Sequence, residues 1–428
     1  MERIDYILDF CKELGKQMIV SGANIERVNM TIERICHAYG LHDVTCANLS
    51  TRISISAKDE QKRYASRQTD VPPQALNLER LKKLNNLSFV VSNTLPEEST
   101  LTGLLKDVKS NDFPWWLIMI GFIVAMAMLA RMFNAYPAEI LIVELNTLIL
   151  FGISRLLTRV HINKIITNAI SMLVCSLIAM AFYKLNFIEN FYVVIITNAF
   201  FLIPGIPMIN CARNILCGNE MNGIIDLLKV LLEVTSIVAG LAAAYALFGN
   251  ALDNSLLEPA VEQLQARRDN MNQWASSIEL IVLTLLASAG FSVVFNIQWK
   301  DLPFAALGGM IVRIFYILFA LALPDYRFLY IAIAAFFAAL YSEILAITRK
   351  NPSTLFLYPS IIPLIPGDLI CLVSLGVIWQ NTDLIKLGAD LAFALVGISV
   401  GFVVCSSVVH YVRKFKFKKI VTESEPKQ

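Results

Sequence analysis

From Phe113 onward the chain presents one apolar run after another, each close to the roughly 20 residues a helix needs to cross a bilayer. That recurrence constrains the fold more than any other feature. Ten spans are expected, at 115–133, 138–157, 164–183, 191–209, 224–248, 278–297, 303–323, 328–347, 354–378 and 388–411. Composition agrees: 56% of the 428 residues are hydrophobic, 16% are charged, and the mean hydropathy is +0.61. A soluble domain carries about 25% charged residues, so a water-soluble enzyme is excluded as the main reading. Of the 70 Asp, Glu, Lys and Arg residues, 30 precede Phe113, which makes the front of the chain a polar head. The expected architecture is a mostly α-helical membrane protein with a small α/β head at 1–112. A first five-helix half follows at 113–249, then a polar extracytoplasmic linker at 250–277, a second half at 278–412 and a basic tail at 413–428.

Lys and Arg at the span ends favour the head's side, with Arg155, Arg159, Lys164, Arg213, Lys300, Arg349, Lys350 and the tail outweighing Arg131, Lys184, Arg267, Arg268, Arg327 and Lys386. The positive-inside rule then places head and tail in the cytoplasm, as an even number of spans requires. The first apolar run begins too late for a cleaved secretory signal. Eight cysteines with no CxxC fit reduced thiols, and a net charge of +2 offers nucleic acid no broad basic field. Neither G-x-x-x-x-G-K-[ST] nor G-x-G-x-x-G occurs, so no nucleotide or other cofactor is expected.

One tetrapeptide, LIPG, occurs at 202–205 and again at 364–367, an interval of 162 residues. The same interval carries each of the first five spans close to one of the last five. Two similar halves with an odd number of spans each must insert in opposite orientations, the inverted-repeat plan of many secondary transporters. Proline removes a backbone donor, so Pro204-Gly205, with Pro207 behind, is expected to break the fourth span. Pro359, Pro363 and Pro366-Gly367 are expected to break the ninth. Unpaired peptide groups at membrane depth survive only against protein or water, and two broken helices at equivalent positions point to a substrate path.

Ionisable groups inside spans are costly and are candidates for function. Arg313 suits a substrate carboxylate; Glu144, Glu343 and Asp368 suit a coupling proton. Asn198, Asn210 and Asn168 add neutral donors and acceptors, which also serve as interhelical contacts. In the head, helices are expected at 4–20, from Asn24 to Gly40 and over 76–93, with strands in VTCANLS and RISISA. Cys36, His37, His42 and Cys46 cluster there without a standard zinc spacing, so ordinary packing is the preferred reading and no metal is expected. Glu26 and Glu33 share a helix face that reads as solvated.

Five segments carry a resemblance: SGANIERVNMTIERICHAYGL (21–41), NLERLKKLNNLSFVVSN (77–93), LIPGIPMINCARNILCGNEMNG (202–223), ASAGFSVVFNI (287–297) and IIPLIPGD (361–368). Together the chain resembles the threonine/serine exporter family, in the form that fuses a head-bearing half to a smaller membrane half. The resemblance implies a bacterial inner-membrane exporter of small hydrophilic amino acids, driven by the proton motive force. Where the halves look like separate chains, such pairs are associated with succinate, which makes a dicarboxylate the alternative solute. Pro204, Gly205, Pro207 and Asn210 match the first-half motif, and Pro363, Pro366 and Gly367 the second. Members often carry an acid where Asn214 stands. Substrate contacts are thus expected from Asn198, Pro204, Gly205, Asn210, Arg313, Pro366 and Gly367, with the proton, the lipid bilayer and a second copy of the chain as further partners. Two other classes are a membrane hydrolase with a catalytic head and a sensor whose spans only anchor it. The head offers no Ser-His-Asp or paired-carboxylate spacing, so an enzyme is not expected.

Overall fold

The computed structural model describes residues 3–108, 112–248, 274–367 and 384–424, together with 369, 370, 372, 373 and 376. It divides into two units. The first comprises residues 1–114 with the short segments 293–302 and 345–356; the second comprises 115–292, 303–344 and 357–428. Expectations that fall on Asp368 and on most of the 250–277 linker lie outside the described residues.

In the first unit, α1 (Arg3–Val20) is apolar along one face and is covered by α2 (Ile25–Ala38), α3 (Leu78–Thr94), α4 (Leu101–Lys106) and a three-stranded antiparallel sheet. Asn24 and Asn77 start α2 and α3, each side-chain oxygen accepting the N–H three residues on at 2.9 Å. The strands β1 (His42–Cys46), β2 (Arg52–Lys58) and β3 (Tyr64–Asp70) lie in chain order. Ile53, Ile55 and Ala57 of β2 alternate inward and are fully buried. β3 has no apolar alternation and was not expected as a strand. It pairs with the whole of β2, and the inward-facing Arg67 forms ion pairs with Asp5 and Asp9 of α1. Charge pairing takes the place of apolar contact on this edge strand.

The segments 293–302 and 345–356 belong to this unit through specific bonds. Leu78 N–H donates to the Phe295 carbonyl at 3.0 Å, and Phe113 N–H to Asn296 Oδ1 at 2.8 Å. The Asp301 carboxylate is 2% exposed and accepts from Lys82 Nζ at 2.7 Å and Arg349 Nη1 at 2.9 Å.

The second unit is helical. Its elements are α5 (Trp115–Met132), α6 (Pro137–Arg159), α7 (Lys164–Lys184), α8 (Phe191–Leu202), α9 (Gly205–Leu216), α10 (Glu220–Phe248), α11 (Trp274–Val294), α12 (Leu302–Ala322), α13 (Arg327–Arg349), α14 (Thr354–Ile361) and α15 (Leu384–Ser424). α11, α12, α13 and α14 each include residues of the first unit. Eight of these helices are long and apolar enough to span a membrane, and α8 with α9 make a ninth candidate, bent by 60°. Ten spans were expected. The difference lies in the expected ninth span: among the described residues it contains α14, a short 3-10 turn at Ile362–Leu364 and the Pro366 break, with part of the remainder undescribed. α5, α6 and α8 pack on one another, α7 packs on α10, and α9 packs on α10 and α15.

Candidate functional site

Pro204 and Pro366 interrupt their helices in the same way. At the first, Ile203 leaves helical geometry (φ −64°, ψ 127°), Gly205 N–H turns back to the Ile203 carbonyl at 2.8 Å, and Met208 N–H restarts the ladder on Pro204 at 3.0 Å. At the second, Ile365 adopts φ −62° and ψ 128°. Gly367 N–H meets the Ile365 carbonyl at 2.8 Å and Ile370 N–H meets that of Pro366 at 3.2 Å. Each of these atoms lies 162 residues from its counterpart. The two breaks also touch: a Cβ on Gly205 would run into Ile365, and one on Gly367 into the Phe200 ring.

Side chains repeat at the same interval. Asn198 Nδ2 donates to the Val143 carbonyl at 3.2 Å, and Ser360 Oγ donates to the Ala305 carbonyl at 3.3 Å. Asn146 also donates to Asn198 Oδ1 at 3.0 Å, and at its counterpart Gly308 the missing side chain leaves room for the Ser360 hydroxyl. Phe122 packs on Phe151 and Phe201 with ring centroids 6.2 and 4.4 Å apart. At the three equivalent positions stand Thr284, Arg313 and Pro363. There Arg313 Nε donates to Thr284 Oγ1 at 3.1 Å and Nη2 to the Pro363 carbonyl at 3.0 Å. An aromatic cluster in one half therefore matches a hydrogen-bonded polar cluster in the other.

The break explains this polar cluster. The helical partners of the Pro363 carbonyl would be the N–H groups of residues 366 and 367, but Pro366 has none and Gly367 spends its own on Ile365. Arg313 supplies the missing donor. In the first half Pro204 and Gly205 leave the Phe201 carbonyl in the same position, and Phe151 has nothing to donate. Among the described residues no donor reaches it.

The remaining expected residues are placed as follows. Asn210 lies half-buried on α9, its side-chain amide making no hydrogen bond among the described residues. Both Glu144 carboxyl oxygens, on α6, are enclosed by protein and have no partner among the described residues, and the same holds for Asn168 Nδ2 on α7. Glu343 is half-buried on α13. Asn214 donates to Asp226 of α10 at 3.1 Å, so an acid reaches this position from a neighbouring helix. In the head, Cys36 Sγ lies 3.9 Å from Cys11 Sγ inside the core, and the His37 ring lies 3.2 Å from the Leu41 carbonyl. Asn146, Thr284 and the carbonyls of Phe201 and Pro363 were not singled out from sequence. The carbonyls were within reach, because a proline three residues on and a glycine engaged elsewhere leave them without partners.

Long apolar helices that turn amides, hydroxyls and a guanidinium inward, with two interrupted helices in contact, mark a multi-pass membrane protein. A family profile described as threonine/serine exporter matches residues 9–248, and a second, described as threonine/serine exporter, ThrE, matches residues 280–408. The chain belongs to the threonine/serine exporter family. No curated protein and no solved structure matches it.

Proposed function

We propose that this protein is a secondary exporter of threonine and serine, driven by the proton motive force across a bacterial inner membrane. Its two halves act as inverted five-helix repeats with head and tail in the cytoplasm. The observation that carries the reading is the contact between two breaks that share one hydrogen-bond pattern at one interval. Inverted repeats that exchange conformations give alternating access, and freed peptide groups near the bilayer centre give a polar solute partners there. In this reading the Phe201 carbonyl and the half-buried Asn210 face the ammonium and hydroxyl of the substrate. Arg313 presents charge to its carboxylate, Asn198 holds α8 on α6, and Pro204-Gly205 and Pro366-Gly367 keep the breaks open and close together.

The test is flux from proteoliposomes loaded in turn with labelled threonine, serine, a bulky apolar amino acid and succinate. Threonine and serine should leave at least tenfold faster than the apolar amino acid and respond to an imposed pH gradient. Preference for succinate would move the substrate class to dicarboxylates, and no flux of any solute would overturn the exporter reading.

A further inference from the structure

We infer that Glu144 is the proton-carrying group of this transporter, an assignment that rests on the exporter reading above. Its two carboxyl oxygens are both enclosed by protein, and no donor reaches either among the described residues. Asn146, Asn198, Arg313 and Ser360, by contrast, each have at least one partner. An ionised carboxylate without a donor is costly inside protein, and a neutral acid is tolerated there far more readily.

Helical phase places the group. Glu144 and Phe151 are seven residues apart on α6 and so share a face. Phe151 meets Phe122 of α5, which in turn stacks on Phe201 beside the break. Glu144 therefore lies on the stripe that faces α5 and the broken α8, one residue beyond Val143, whose carbonyl holds Asn198. The repeat sharpens this. Arg313 occupies the position equivalent to Phe151 and faces the second break, whereas Ala306 stands at the position equivalent to Glu144. Apart from Glu139, which is spent on backbone N–H groups at the start of α6, the equivalent helices thus carry an unpartnered acid in one half and a cation engaged with a carbonyl in the other.

Among the described residues of the elements packed on α6, no fixed charge is paired with Glu144. α5 contributes Arg131, paired with Glu279 at 2.6 Å, and α8 contributes only the phenol of Tyr192. On α7 are Cys175 and Tyr183, with Lys164 paired to Glu233 at 2.8 Å at one end and Lys184 at the other. On α6 itself Glu139 accepts two backbone N–H groups, Arg155 lies over Trp115, and Arg159 ends the helix. Glu144 is left free to gain a proton in this conformation and to lose it when a rearrangement brings water or the substrate ammonium to it.

The experiment uses full-length Glu144→Gln in proteoliposomes, read in two modes. Threonine-for-threonine exchange needs no net proton movement and should stay within about threefold of wild type. Net efflux driven by a pH gradient should fall at least tenfold. Glu144→Asp, which keeps the acid, should retain gradient-driven efflux with a displaced pH profile. Undiminished gradient-driven efflux in Glu144→Gln overturns the assignment, and so does loss of exchange together with net flux in a correctly inserted variant. Wild-type protein that exchanges threonine but ignores the pH gradient defeats proton coupling itself, and wild-type protein that does neither defeats the exporter reading.

Discussion

Arg313 shows how one backbone vacancy dictates a side chain. Its guanidinium donates to Pro363, whose carbonyl the Pro366 break deprives of helical partners, and its second bond to Thr284 fixes the fork. Arg313→Met should lower stability by about 1–3 kcal/mol, the usual range for leaving a buried acceptor unpaired, measured as thermal unfolding of the purified protein in detergent. Arg313→Lys should fall between, because a single ammonium does not reproduce the two-pronged geometry. A second residue-scale prediction concerns Glu79 in the head, which is 6% exposed, with Oε2 unpartnered and Lys83 Nζ 3.8 Å from Oε1. Burial raises its carboxyl above the usual range, against the opposing pull of Lys82 and Lys83. A carboxyl raised in the folded state favours folding at low pH and loses that contribution as pH rises through the folded value. Glu79→Gln should therefore raise the melting temperature at neutral pH, and the gain should vanish as the pH is lowered through the ordinary carboxylate range.

At the scale of elements, what was legible follows from period and punctuation. α1, α2, α3 and the membrane helices announce themselves by apolar spacing, by the Asn24 cap and by length, whereas the Asn77 cap emerges only from the structure. β3 does not, because its inward positions are Ala65, Arg67 and Thr69, and Arg67 is held by acids from α1 that no local pattern reveals. The Pro-Gly breaks were legible as breaks, since proline's missing donor is a local fact, whereas their mutual contact is tertiary. The turn before α12 shows the same division. Asp301 could be read as the positional equivalent of Glu139, yet Glu139 caps backbone N–H groups while Asp301 binds Lys82 and Arg349. Asp301→Ala should destabilise by about 1–3 kcal/mol. That is less than a sealed ion pair costs, since both cations keep some access to water. Protease sensitivity of the head, followed in intact membranes, should rise accordingly.

At the scale of the whole molecule, sequence offered one tetrapeptide and a row of spans at a single interval, and the structure shows local contacts recurring at that interval. The same interval relates the breaks, the Asn198 and Ser360 anchors and the aromatic and polar clusters. The interval already sets Phe151 opposite Arg313 and Glu144 opposite Ala306 in sequence; what sequence did not reveal is what these residues touch, because the Arg313 bond to Pro363 and the enclosure of Glu144 are tertiary. Alternating access needs the two breaks to approach closely while leaving peptide groups free, and Gly367 is where that condition is tightest, pressed against the Phe200 ring. The most direct measurement is labelled threonine flux from proteoliposomes bearing wild-type protein or Gly367→Leu, with equal insertion verified. The account predicts flux from the wild type and at least a tenfold loss in the variant. Flux from Gly367→Leu equal to that of the wild type would contradict a path through the meeting point of the two broken helices.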